Sequence, residues 1–149
     1  VLGHRSSKEI LPILLAQAAG GILGTVLANL MFDLSAISWS ATNRSGSHLW
    51  LGEVIATVGL LLVIFSLLHT SRTSKIPYVV GAYIGGAYYF TSSTSFANPA
   101  VTIARSFSDT FTGISSSHIP MFILMQLIGT AIAIVLIRSL FSSNTNGKS

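Results

Sequence analysis

Asn98, Pro99 and Ala100 follow a run of hydroxyl-bearing residues, Thr91, Ser92, Ser93, Thr94 and Ser95. Arg105 and Asp109 come just after them. These residue types offer hydrogen-bond donors and acceptors, and backbone that leaves a helix readily. Bond-making chemistry needs more. A nucleophile requires an adjacent base or a lowered pKa. The four histidines, His4, His48, His69 and His118, sit in loops and at the ends of apolar segments, with no metal-ligand spacing. Cysteine is absent, so disulfides, thiolate metal sites and cysteine nucleophiles are excluded. Glu53 is the one acid placed firmly inside an apolar segment. No catalytic residue, no metal and no cofactor are therefore expected.

The segments that must position these residues are apolar. Half of the 149 residues are hydrophobic and 8% are charged, against about 25% in a soluble domain. An all-α integral membrane protein in a lipid bilayer is expected. The net charge is +4, but the basic residues form no patch, which argues against nucleic acid as a partner. Crossing the hydrocarbon takes about 20 apolar residues. Four transmembrane spans are drawn at about 10–32, 49–69, 76–96 and 120–141. Arg5 and Lys8 precede the first, Arg72 and Lys75 separate the second from the third, and Arg138 and Lys148 mark the end of the fourth. These regions alternate so as to share one side, which the positive-inside rule makes cytoplasmic. Arg44 stands alone between the first two spans, on the opposite side.

The stretch 91–119 is assigned to the outside, yet it is partly too apolar for a solvated loop. Irregular backbone at membrane depth is tolerated where protein buries it or where it lines water. We read the stretch as re-entrant. Residues 91–97 descend as non-helical backbone. Asn98 is placed as an N-cap, Pro99 opens the first helical turn, and a half-helix runs over about 99–111 with Gly113 as its stop. Thirteen residues at 1.5 Å span about 20 Å, a half-crossing. An external amphipathic loop is the alternative. Internal repetition adds a second signal. Residues 14–32 resemble residues 123–141, with Gln17 matching Gln126 and Gly20 matching Gly129, both 109 positions apart. The first span and the fourth run in opposite directions, as in inverted repeats that build a midplane site. Small residues that let helices pack closely give the same pattern.

Together these residues resemble a known family. "SFANPAVTIARS" resembles the second Asn-Pro-Ala loop of the aquaporin (major intrinsic protein) family. "GEVIAT" around Glu53 looks like the start of its fourth span, and "AQAAGG" and "MQLIGT" look like its third and sixth. The resemblance implies an aquaporin-like, right-handed helical bundle with inverted repeats, of which this single domain, 1–149, holds four transmembrane helices and one re-entrant half-helix. The offset of 109 puts a partner Asn-Pro-Ala about eleven residues before Val1, so an N-terminally truncated chain is expected, lacking two spans and the first motif.

The resemblance also implies the mechanism. A helix N-terminus carries roughly half a positive charge. Aimed into a pore, it repels cations while the Asn98 amide orients a neutral molecule. Asn98, Pro99 and Ala100 are the implied pore motif. Glu53 would accept hydrogen bonds from buried N–H groups of the loop, the alternative being an interfacial position facing headgroups. Gln17 and Gln126 would bond backbone near half-helices as structural support. The selectivity filter would comprise Gly86, Ser95 and Val101, where the family's water channels carry a His in place of Gly86 and an Arg in place of Val101. A register slip of one would bring in Ala87 or Phe96 instead. Small residues in place of Arg and His imply a wider neck, suited to glycerol, urea or a metalloid hydroxide such as arsenous acid. Arg105 shares a helix face with Asn98 and Val101. It is read either as the filter Arg moved outward, with Asp109 as its partner four residues on, or as an anchor to neighbouring backbone. A passive channel for water or small neutral solutes, homotetrameric and multi-pass in the plasma or inner membrane, is the expected function. A secondary transporter built on a broken-helix inverted repeat is the alternative; an intramembrane hydrolase lacks a base in mid-span.

Overall fold

The computed structural model describes residues 7–141, with side chains from residue 10 onward. His4, Arg5 and Lys148 lie outside the described residues, as does the Lys8 side chain. Among the described residues there is helix and no strand. In chain order the helices are α1 (Ser7–Met31), α2 (Ser47–His69), α3 (Ile76–Phe90), α4 (Pro99–Ala104) and α5 (Ile119–Phe141). Short 3-10 turns lead into α3 (Thr73–Lys75) and α5 (Ser116–His118), and another, Arg105–Phe107, continues α4.

Among the described residues, three stretches are long and apolar enough to cross a membrane: Ile10–Met31, Ser47–His69 and Ser116–Phe141. The stretch expected as a span over 76–96 is helical only to Phe90. Fifteen helical residues reach about 22 Å, against a hydrocarbon core of about 30 Å. The helix stops because Thr91 turns extended (φ −109°, ψ 138°) while its N–H still bonds to the Ala87 carbonyl. The Thr91 hydroxyl donates to that same carbonyl at 2.7 Å.

The chain divides into two compact units, each assembled from two separate stretches of sequence. The first combines 1–44 with 98–119. Here α1 lies along α4. A Cβ added to Gly21 would stand 3.0 Å from that of Ala104, whereas Gly20, which the repeat paired with Gly129, has nothing within 4 Å. The close-packed glycine of α1 is thus one residue later than the repeat suggested. After α1 the chain turns at Asp33 (φ 58°) and runs beside the segment following α4. Ser40 N–H donates to Ser106 O (2.9 Å), Ser38 N–H to Phe107 O (3.1 Å) and Ser115 N–H to Thr42 O (2.9 Å).

That pairing explains why the helix expected over 99–111 is shorter. It tightens at Arg105, ends at Phe107, and Ser108 is extended (φ −137°, ψ 115°). The carbonyls at its end take distant donors instead of N–H groups one turn on. Asn29, on α1, completes the closure. Its Nδ2 donates to Phe107 O (3.0 Å) and Ala36 O (3.2 Å), and its Oδ1 accepts from the Ser108 hydroxyl (2.7 Å).

The second unit combines 45–97 with 120–149. Helix α2 packs on α3, where the Tyr83 hydroxyl donates to Ala56 O at 3.0 Å. On its other flank α2 meets α5 at Gly129. A Cβ there would lie 2.9 Å from both Val54 O and Thr57 Cβ, so a side chain would force the two backbones apart. Phe96 and Phe122 pack with ring centroids 5.2 Å apart. His69 and Phe141 stack at 4.3 Å where α2 and α5 end.

Candidate functional site

The loop 91–97 is built around Glu53. Glu53 is fully buried and its two oxygens accept four hydrogen bonds. Oε1 accepts from the Ser93 hydroxyl (2.7 Å) and Phe96 N–H (2.9 Å). Oε2 accepts from Ala97 N–H (3.0 Å) and Gln126 Nε2 (2.7 Å). An ionised carboxylate is acceptor-only, and here every partner donates. With no exposed atom, Glu53 does not sit at an interfacial surface. Gly52, beside it, admits the loop: a Cβ there would be 2.9 Å from the Ser92 hydroxyl and 3.1 Å from Ser93 N.

The backbone held this way is unusual. Thr94 (φ 61°), Ser95 (φ 49°) and Ala97 (φ 49°) are all left-handed without being glycine. Such residues cost about 1–3 kcal/mol each and persist where the surroundings over-determine them. Hydrogen bonds to a charged group contribute about 1.5–3 kcal/mol each. Three of the four come from the loop itself and act against the strain of its three left-handed residues. Ser95, expected at the filter, is buried (2% exposed), and its hydroxyl has no hydrogen-bond partner among the described residues. Gly86, the other filter candidate in this unit, is exposed on α3.

At Asn98 the chain passes into the first unit. Asn98 is extended (φ −156°, ψ 125°) and its Oδ1 caps α4 by accepting from Ala100 N–H at 2.8 Å. Pro99 occupies the first helical position, as expected for a residue without an N–H. Because Oδ1 serves the cap, the amide NH2 is the end left to donate. Asn98, Val101 and Arg105, which share a helix face, are all half-buried, while Ala100, Thr102 and Ala104 are buried. Asp109 is no longer on that helix. Its Oδ1 accepts from Ala41 N–H (3.0 Å) and the Ser40 hydroxyl (3.5 Å), and the helical i,i+4 relation to Arg105 does not exist.

Among known proteins, no family model matches the chain and no solved structure matches it. The aquaglyceroporin AqpS of Rhizobium meliloti (strain 1021) is 44% identical over 136 residues. The alignment covers 91% of this chain. The chain belongs to the aquaporin (major intrinsic protein) family. It spans 58% of the length of that curated relative.

Within this aquaporin-family chain the structure joins Glu53 with Gln126 but treats the two glutamines differently. Gln126 is buried against Glu53, whereas Gln17 is exposed on α1. The supporting role of Gln17 rests on the family resemblance alone. Three residues escaped the sequence reading. Ser93 and Asn29 are described above. The third is Arg44, buried at 5% exposure, with Nε donating to Gly113 O (2.6 Å) and a terminal guanidinium nitrogen to Phe111 O (2.9 Å). Its signal was present: Arg44 is the lone basic residue between the first two expected spans. Replacing Arg44 by Met keeps the aliphatic stem and removes the donors. Stranded carbonyls should cost about 1–3 kcal/mol, read as a fall in melting temperature of the purified protein in detergent. An unchanged melting temperature would mean that water replaces the guanidinium without loss.

Proposed function

We propose that this chain forms part of a passive channel for water and small neutral solutes such as glycerol. The observation that carries the proposal is the strained loop 94–97, pinned by a fully buried Glu53 and running straight into an Asn98-capped helix start. In this reading α3 with the loop makes a fourth crossing, and α4 is the re-entrant half-helix. The N–H groups of Phe96 and Ala97 are consumed by Glu53, so the descending run offers acceptors to a solute. The Asn98 amide offers donors, and the N-terminus of α4 disfavours cations. The family resemblance is what names Gly86, Ser95, Val101 and Arg105 as filter positions, and it extends the proposal to a homotetramer in the plasma or inner membrane. Glu53 also supports a channel over an ion-coupled transporter. Both its oxygens are occupied by protein donors, which leaves the carboxylate unfitted to bind a coupling ion.

Stopped-flow light scattering on liposomes containing the full-length protein tests this. Water and glycerol permeability above that of empty vesicles is expected, without accumulation against a gradient. Val101→Arg should lower glycerol flux about tenfold more than water flux, the discrimination a filled site gives through excluded bulk. Equal reduction of both, with the protein folded, would remove Val101 from the neck and make Arg105 the residue to test.

A further inference from the structure

The Ser93 hydroxyl makes two hydrogen bonds of different kinds. It donates to Glu53 Oε1 at 2.7 Å and accepts from Ser95 N–H at 3.2 Å. Glu53 alone reaches the N–H groups of Phe96 and Ala97. Through Ser93 its hold extends one residue further up the loop, to Ser95. A hydroxyl polarised by a carboxylate has its oxygen lone pairs fixed in direction, because its proton is committed. The Ser95 N–H is thereby seated, together with the left-handed conformation of Ser95. That residue carries a buried hydroxyl with no hydrogen-bond partner among the described residues. Leaving a buried hydroxyl unpaired is unfavourable, so this hydroxyl has a hydrogen bond to gain from a solute that reaches it.

We propose that Ser93 is a positioning residue. It relays Glu53 to the backbone of Ser95 and so fixes the Ser95 hydroxyl where a small neutral hydroxylated solute meets it. This rests on the channel reading above and deepens it. Ser93 itself, fully buried within the loop, touches no solute. Its effect passes through Ser95, and two consequences follow. Removing the Ser93 hydroxyl changes selectivity between glycerol and water, beyond any change in the amount of open channel. Removing both hydroxyls changes selectivity no more than removing that of Ser95 alone, because both act through one contact.

The test pairs two readouts on the full-length protein in liposomes. Amide hydrogen exchange over 93–97 reports the relay directly, and stopped-flow permeability to water and glycerol reports its use. In Ser93→Ala the Ser95 amide should exchange about fivefold faster, the equivalent of one ordinary hydrogen bond. The glycerol-to-water permeability ratio should fall by a similar factor. Ser93→Thr should restore both, and Ser93→Ala combined with Ser95→Ala should match Ser95→Ala alone. If Ser93→Ala fails to fold, Ser93→Cys preserves the shape with a weaker donor and is read in the same way. An unchanged Ser95 exchange rate would overturn the relay. Faster exchange with an unchanged permeability ratio would reduce Ser93 to a structural role and overturn the specificity claim. If the parent protein conducts neither water nor glycerol, the channel reading fails and takes the specificity claim with it, while the exchange rates still decide the relay.

Discussion

Glu53→Ala should leave little folded protein and no measurable flux. The substitution strands the N–H groups of Phe96 and Ala97, both on buried residues. An unsatisfied buried donor costs about 1–3 kcal/mol, so these two alone amount to about 2–6 kcal/mol. The strain at Thr94, Ser95 and Ala97 is then no longer opposed. Glu53→Gln should fall between parent and Ala. Its carbonyl still accepts, but its NH2 group faces a partner that also donates. Melting of the purified protein in detergent, with the fraction monodisperse after extraction, measures the order. Should Glu53→Ala melt within a degree of the parent, the carboxylate is not what holds the loop.

Gly129→Leu is expected to be the most damaging change on α5. Its first side-chain atom would already stand 2.9 Å from the Val54 carbonyl oxygen and Thr57 Cβ, and 3.3 Å from Val54 Cα. Two of these three contacts are to backbone, which cannot rotate away. Overpacking a tight interior typically costs about 1–3 kcal/mol. Here it also drives α5 off α2 and pulls Gln126 from Glu53, a bond only one turn away along α5. Gly129→Ala should show the same direction at smaller size. A Gly129→Leu protein with parental melting and flux would mean that the α2–α5 packing is looser than 2.9 Å implies. Gly20→Leu, at a position with open space, is the matched control and should be near neutral.

What could be read from sequence was whatever one residue type announces by itself. A carboxylate inside an apolar run is costly in hydrocarbon, so Glu53 drew attention unaided. Asn before Pro announced a helix start, and the α4 cap is built from those two residues. Choices among equals were not legible. Five consecutive residues, 91–95, carry hydroxyls, and nothing in their types says that the Ser93 hydroxyl meets Glu53 while that of Ser95 has no partner among the described residues. Gly20 and Gly21 are likewise adjacent and identical, and only helix packing separates them. The end of α4 was illegible for another reason. Its stop is imposed by Asn29 and residues 38–40, with Asn29 and Ser108 79 positions apart. Local propensity carries no record of so distant a partner. The same holds for Arg44, whose acceptors lie 67 and 69 positions downstream.

The separation between Glu53 and its donors also sets a timetable. The backbone donors lie 43 and 44 residues later in the chain, and Gln126 lies 73 later. At a synthesis rate of about 5–20 residues per second, α2, which ends at His69, is complete about 1–6 s before residues 93–97, whose donors its carboxylate accepts, exist. During that interval a bare acid sits in a helix otherwise suited to lipid, and releasing it into hydrocarbon costs about 2.5–3.5 kcal/mol on insertion scales. The hydrogen bonding of the buried acid is therefore complete only once residues 93–97 and then Gln126 have been made.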